Sequence, residues 1–338
     1  MLPIKVLPTV LRFIDDIDAT VAGRLMRKKP WDEVSLTSLL CDLLDDETSD
    51  DYKRSYSLKE FQADLELAMP LAKFDCSLRT HEYPTSLERW VTQSDVGMIL
   101  TYIDHFLPYR SWTIPWLLQA KRVYPNKRTG LFDESSAFKA KNPDQHNRMA
   151  ALNKRLGYGA VKYLLYCPRP QVLDQLTAVK LAHLRDVALS DQIFDYAPGL
   201  ALHQDMASGG DTLAAGVFVA NLESVPATLR ATHESIFHST IPLSWFLTFQ
   251  FANGNQYREG WRPLELLGVD THAIDDDSAI EFAGRLASGD VEAVREIAVM
   301  TGRQGRLTQS RYFQRTRFAS AWRLETKPTL SAVLLVGS

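Results

Sequence analysis

The sequence predicts an α/β fold, and three observations predict it. The stretch Ser57-Leu58-Lys59-Glu60 is a capping box, which opens a helix. Two apolar runs, residues 96–102 and 116–123, flank a turn-forming stretch around Pro108 and Ser111 and read as an antiparallel hairpin. A polar helical stretch, 144–157, then leads into a continuous apolar run, 160–167, the pattern of a fully buried strand. With a further strand expected over 76–83, the order is helix, three strands, helix, strand.

Taken in order, residues 7–27 carry a helical stripe of Val10, Leu11, Phe13, Ile14, Ile17 and Val21. A second helix is expected over 31–44, and the charged segment 45–56 reads as a loop or linker. Leu58, Phe61, Leu65 and Met69 form the buried stripe of the third helix, which also carries Asp64 and Glu66. The strand over 76–83 stops at Pro84, and a turn at 85–89 brings the chain back. Beyond the hairpin, 127–141 is a polar loop, and the following helix is capped by Asn142 or Asp144 and stopped at Gly157. A helix over 170–189 follows, then short strands or loop edges at 199–203 and 214–220. Two or three buried helices are expected over 222–251, where Pro226 and Pro242 break the run. Two amphipathic helices should flank Gly289-Asp290, and 318–324 with 330–336 should form a terminal strand pair. The expected organisation is a helical N-terminal segment (1–56) covering a core (57–170), with an α/β extension (171–338) packed on it.

Composition bounds the function. Of 338 residues 45% are hydrophobic and 23% charged, the profile of a globular chain with a sizeable core. The net charge of −3 excludes a polyelectrolyte binder, so any nucleic-acid contact must be a local basic surface. Cys41, Cys76 and Cys167 are odd in number, with no CxxC pair, which argues against a zinc site or a disulfide frame. No signal-peptide pattern and no membrane-spanning run is present, so a cytoplasmic protein with no membrane partner is expected.

The chemistry-bearing residues lie in the hairpin. Side chains two apart on a strand share a face, so Gln119 and Lys121 project together. Asp95, at the start of the neighbouring strand, can meet them, and the turn after Pro84 brings Glu82 beside it. Phosphodiester hydrolysis needs such a set. Mg²⁺, or Mn²⁺ in its place, takes oxygen ligands, acts as a Lewis acid and acidifies bound water. Asp95 and Glu82 would hold the metal, with Gln119 and the Ala120 carbonyl adding oxygens. Lys121 would orient the water and offset charge at the phosphorus. The order Glu82, Asp95, Gln119-x-Lys121, then helix and strand, resembles the PD-(D/E)xK restriction-endonuclease-like nuclease superfamily, in its variant with glutamine in the last motif. The resemblance covers about a third of the chain. It implies an αβββαβ core with a mixed sheet, a divalent cation, cleavage of DNA, and a role in bacterial restriction or anti-phage defence. The partners it implies are nucleic acid, a protein of a defence system or a second copy of the chain. The rival expectation is a nuclease-like subunit that binds without cutting.

Gln145, His146 and Arg148 lie in the first turn of the 144–157 helix, where an anion is favoured. Arg311, Arg315 and Arg317, interleaved with aromatic residues, suit a phosphate-tracking surface. Tyr109 and Trp112, in the hairpin turn, are the aromatics expected to touch a substrate. His233, Glu234 and His238 miss zincin spacing, and Glu325-Thr326-Lys327 leaves too little chain for a following helix and strand.

Overall fold

In a computed structural model of the chain, the structure describes residues 6–68, 74–83, 92–139, 142–193, 215–253, 277–300 and 323–325. Three helices come first: α1 (Leu7–Leu25), α2 (Glu33–Leu44) and α3 (Leu58–Ala68). Asp32 caps α2 by accepting the Ser35 N–H at 2.8 Å. The capping box of α3 forms as its sequence requires. The Ser57 N–H donates to Glu60 Oε2 at 2.8 Å, and the Glu60 N–H donates back to Ser57 Oγ at 3.2 Å. Leu58, Phe61 and Leu65 are its buried face, while Met69 lies outside the described residues.

Strands β1 (Phe74–Glu82), β2 (Val96–Asp104) and β3 (Trp112–Tyr124) form an antiparallel meander. The two-residue strand β4 (Ala137–Phe138) pairs with the end of β3. Helix α4 (Pro143–Leu156) then crosses to β5 (Val161–Tyr166), which runs parallel to β3. Asn142 caps α4 with its side-chain oxygen, and Gly157, at φ 86°, ends it in a conformation that favours glycine. Next come α5 (Gln175–Ile193), β6 (Val217–Ala220), α6 (Leu229–Glu234), β7 (Thr240–Pro242), α7 (Leu243–Asn253), α8 (Asp277–Ala287), α9 (Val291–Met300) and β8 (Arg323–Glu325).

The result is an α/β protein with nine α-helices among the described residues and a mixed sheet in the order β7-β6-β5-β3-β2-β1-β8. β5 is the parallel neighbour of β3, and β6 runs antiparallel to β5. Helix α2 packs on β1 and β3, α1 packs on α7, and α8 lies over β2 and β3 against α4. One continuous apolar cluster runs from α1 through the sheet to α9. Among the described residues no helix is long and apolar enough to cross a membrane. Cys41, Cys76 and Cys167 are buried and not joined in disulfides.

Three local expectations are met in part. The stretch 222–251 holds two helices with β7 between them: the Thr240–Pro242 strand hydrogen-bonds β6, so sheet pairing takes residues that the apolar run alone assigns to helix. The helix expected from 170 begins at Gln175, because residues 170–172 form a 3-10 turn. Of the expected terminal strand pair, only Arg323–Glu325 is described, and it pairs with β1. The stretch 199–203 lies outside the described residues.

Candidate active site at the end of β2

The site grows from a mismatch of strand lengths. The last rung between β2 and β3 is Val96 opposite Leu118, but β3 continues to Tyr124. The Asp95 N–H still donates to the Leu118 carbonyl at 2.9 Å, and the Asp95 carbonyl accepts the Tyr83 N–H at 2.9 Å. Beyond that point side chains take up the backbone groups of β3. The Ala120 N–H donates to Asp95 Oδ2 at 2.6 Å, and the Arg122 N–H donates to Glu33 Oε2 at 3.0 Å. Two carboxylates therefore sit on alternate rungs of one edge, roughly 7 Å apart along the strand.

Asp95 stands one step beyond the Val96–Leu118 pair, which sets its side chain opposite that of Gln119. The Gln119 amide Nε2 donates to Asp95 Oδ2. Gln119 is wholly buried, and its Oε1 accepts a hydrogen bond from Gln145 Nε2 at 2.8 Å. The predicted first-turn residue of α4 thus joins the site by contacting Gln119. Arg148 is half-buried one turn along the same helix. His146 Nδ1 is 3.3 Å from the Tyr163 hydroxyl on β5, with the two rings stacked.

Lys121 lies two residues beyond Gln119 on β3, and its Nζ is 3.5 Å from Glu33 Oε1. The structure thus joins Asp95, Gln119, Ala120 and Gln145 in one hydrogen-bonded group, and sets Lys121 beside Glu33. Glu82 contacts a different element: its Oε2 accepts the Ser38 hydroxyl of α2 at 3.2 Å. Burial there, ahead of every other cause, pushes the Glu82 carboxyl above its usual range. Register explains the separation. Glu82 pairs with Val96, so it shares a face with Val96 and Leu118, while Gln119 and Lys121 alternate to the other face.

Two oxygens of the group suit a hard cation, the Asp95 carboxylate and the Ala120 carbonyl, which shares the open edge with its own N–H, while Gln119 turns its amide N–H to Asp95 and its oxygen to Gln145. Among the described residues, no cluster of three or more His, Cys, Asp or Glu side chains stands ready to hold a metal ion.

Glu33 is the residue that sequence reasoning missed. It reads as an ordinary acidic residue in the first turn of a covering helix, and only the packing of α2 on β3 brings it to Lys121. Tyr109 and Trp112 are corrected. They lie at the hairpin turn, and Trp112 is roughly 23 Å along β3 from Gln119 at ~3.3 Å per residue. A hairpin puts its turn at the end opposite its open strand ends. Trp112 packs with Tyr102 and Phe251, while Tyr109 is 71% exposed. Trp116 is core, its indole N–H donating to Gln250 Oε1 at 2.9 Å. His233 is buried against Phe218. Asp64 accepts the Tyr56 hydroxyl at 2.6 Å, away from the site. Arg311, Arg315 and Arg317 lie outside the described residues. Compared with protein-family models, curated proteins and solved structures, the chain matches none of them, so the reading of this site rests on its own residues.

Proposed function

We propose that this chain is a metal-dependent nuclease that hydrolyses phosphodiester bonds, with DNA as its substrate. The observation that carries the reading is the meeting of Asp95 with Gln119 and the Ala120 backbone where β3 outruns β2, with Lys121 on the same strand. The order α3-β1-β2-β3-α4-β5 supports it, since a restriction-endonuclease-like core has that order of helices and strands.

When bound, Mg²⁺ or Mn²⁺ supplies Lewis acidity toward a phosphate oxygen and a more acidic water. Asp95 and the Ala120 carbonyl would hold it, and Gln119 would join them by turning its amide oxygen toward Asp95. Gln145 fixes the Gln119 amide, and α2 fixes Glu82 at the margin of the group rather than within it. Glu33 holds the Lys121 ammonium at the rim, where it orients water and offsets charge on the phosphate. As such an enzyme the chain would act in bacterial restriction or anti-phage defence, in the cytoplasm, alone or with a partner protein.

A second reading, a nuclease-like subunit that binds nucleic acid or a protein without cutting, is favoured by one observation. Among the described residues Asp95 is the carboxylate that the Gln119 amide and the Ala120 N–H meet, and Gln119 brings it an amide N–H rather than a second charge.

Incubating the full chain with plasmid, single-stranded DNA and RNA, with Mg²⁺ or Mn²⁺ and with EDTA, separates the two. The nuclease reading expects cation-dependent cleavage that Asp95→Asn and Lys121→Ala each lower by roughly 100-fold or more. Intact substrates under every condition, or cleavage unchanged in both variants, would reject it; binding without cleavage would support the second reading.

A further inference from the structure

Beside Lys121, on the face of the sheet away from α2, lies a cavity of about 100 Å³. Its wall is apolar and aromatic: Phe138, Tyr163, Leu165 and the segment around Pro226. Lys121 and Lys139 also line it, with the Lys121 ammonium 3.5 Å from Glu33 Oε1. Both sides are held in place. Phe138 pairs with Val123 through β4, and its N–H donates to the Ala227 carbonyl at 3.0 Å. Tyr163 is fixed from behind by His146. The Lys139 ammonium stands 5.0 Å over the Tyr124 ring at the end of β3, while Arg122, the residue after Lys121, alternates to the other face.

The size is informative. Pockets for whole small ligands start at about 300 Å³, so this one takes one ring of a larger molecule. An aromatic, apolar slot for a ring, with cations beside it for an anion, is the chemistry that receives a nucleobase joined to a phosphate. Lys121 lines this cavity and lies two residues along β3 from Gln119.

We infer that this cavity is a nucleobase subsite, which seats one unstacked base of the substrate strand while Lys121 and Lys139 hold its phosphate. The inference rests on the nuclease reading for the identity of the strand, and on the cavity's own residues for the base. A base held there sets the adjoining phosphate near Asp95 and Gln119 and favours single-stranded or locally opened substrate over a continuous duplex.

The test uses the full chain in EDTA, so that cleavage is off. Binding of a fluorescently labelled oligodeoxynucleotide is followed by anisotropy, and binding of free dAMP by calorimetry. The variants are Val225→Trp, which fills the cavity, Phe138→Ala, which removes a ring from its wall, and Lys139→Gln. Stacking energies of ~1–3 kcal/mol per base correspond to weakening by roughly 5- to 150-fold for Val225→Trp and Phe138→Ala. Lys139→Gln should weaken binding and flatten its salt dependence. Thermal melting identifies any variant that fails to fold, and the conclusion is then drawn from the others. Weakening of the oligonucleotide alone assigns the subsite to a strand, and weakening of dAMP alike assigns it to a free nucleotide as well. Binding unchanged in both cavity variants, or no binding by the wild type, overturns the subsite. If cleavage is absent in Mg²⁺ but binding still depends on Val225 and Phe138, the subsite stands and the nuclease reading falls.

Discussion

Asp95 accepts hydrogen bonds from the Gln119 amide and the Ala120 N–H on a single oxygen. Hydrogen bonds to a charged acceptor contribute ~1.5–3 kcal/mol each, so the free chain already stabilises this carboxylate. That makes Gln119→Glu an informative change. Without divalent cation the new carboxylate loses the donor to Asp95 and adds a like charge, and the variant should be ~1–3 kcal/mol less stable than the wild type. With Mg²⁺ or Mn²⁺ the same residue becomes a charged oxygen ligand, and much of that loss should return. Thermal melts with EDTA and with millimolar Mg²⁺ measure both effects. A melting temperature that does not respond to the cation would count against a metal site here. The meeting of Asp95 and Gln119 was legible in the sequence, because hairpin register and two-residue alternation bring them together. Glu33 was not legible, because its contact with Lys121 depends on where α2 docks. The sequence places Glu82 beside Asp95 through the turn after Pro84, whereas strand alternation turns its side chain toward Ser38.

At the scale of elements, β2 and β3 are legible because their apolar runs are long and bounded by turn residues. What those runs do not show is which helix covers each face. Gly97 records that choice. A Cβ on Gly97 would stand 1.9 Å from the Ala287 carbonyl oxygen, so the end of α8 rests directly on the β2 backbone. The obstruction is backbone and cannot swing aside as a side-chain tip would. Gly97→Ala should therefore cost ~1–3 kcal/mol, the usual scale of overpacking. In urea the midpoint should fall with little change in slope. An unchanged midpoint would mean that α8 does not sit on β2 as described. The site should also loosen in this variant, since Gly97 lies two residues from Asp95. The short elements were the least legible. β7 has three residues, and its pairing with β6 decides its conformation more than its composition does.

For the whole molecule, the inner face of α1 is part of the core. Val10, Phe13, Ile14, Ile17 and Val21 are wholly buried, and they belong to the same apolar cluster as the sheet. A polar tie accompanies this packing. The wholly buried Asp18 accepts the Gly216 N–H at 2.8 Å and the Val217 N–H at 2.6 Å, which fixes α1 to the start of β6. Arg169, just after β5, holds Asp15 at 3.0 Å and stands 3.7 Å from Asp18. Removing Asp18 leaves the buried Gly216 and Val217 N–H groups without their acceptor, so Asp18→Ala should cost ~2–6 kcal/mol. Thermal unfolding would measure the loss, and limited proteolysis should then release α1 first. Resistance equal to that of the wild type would show that apolar packing alone holds α1.

The sequence by itself determined the elements: the capped helices α3 and α4, the β2–β3 hairpin, and the alternation that puts Gln119 and Lys121 on one face. These depend on local chemistry, on caps, turns and periodicity within a few residues. Only the tertiary structure decided what those elements meet: Glu33 at Lys121, Gln145 at Gln119, Ser38 at Glu82, and α1 inside the core. Such contacts join residues far apart in the chain, and helix docking and strand register, which fix them, are global outcomes of packing that no short stretch encodes.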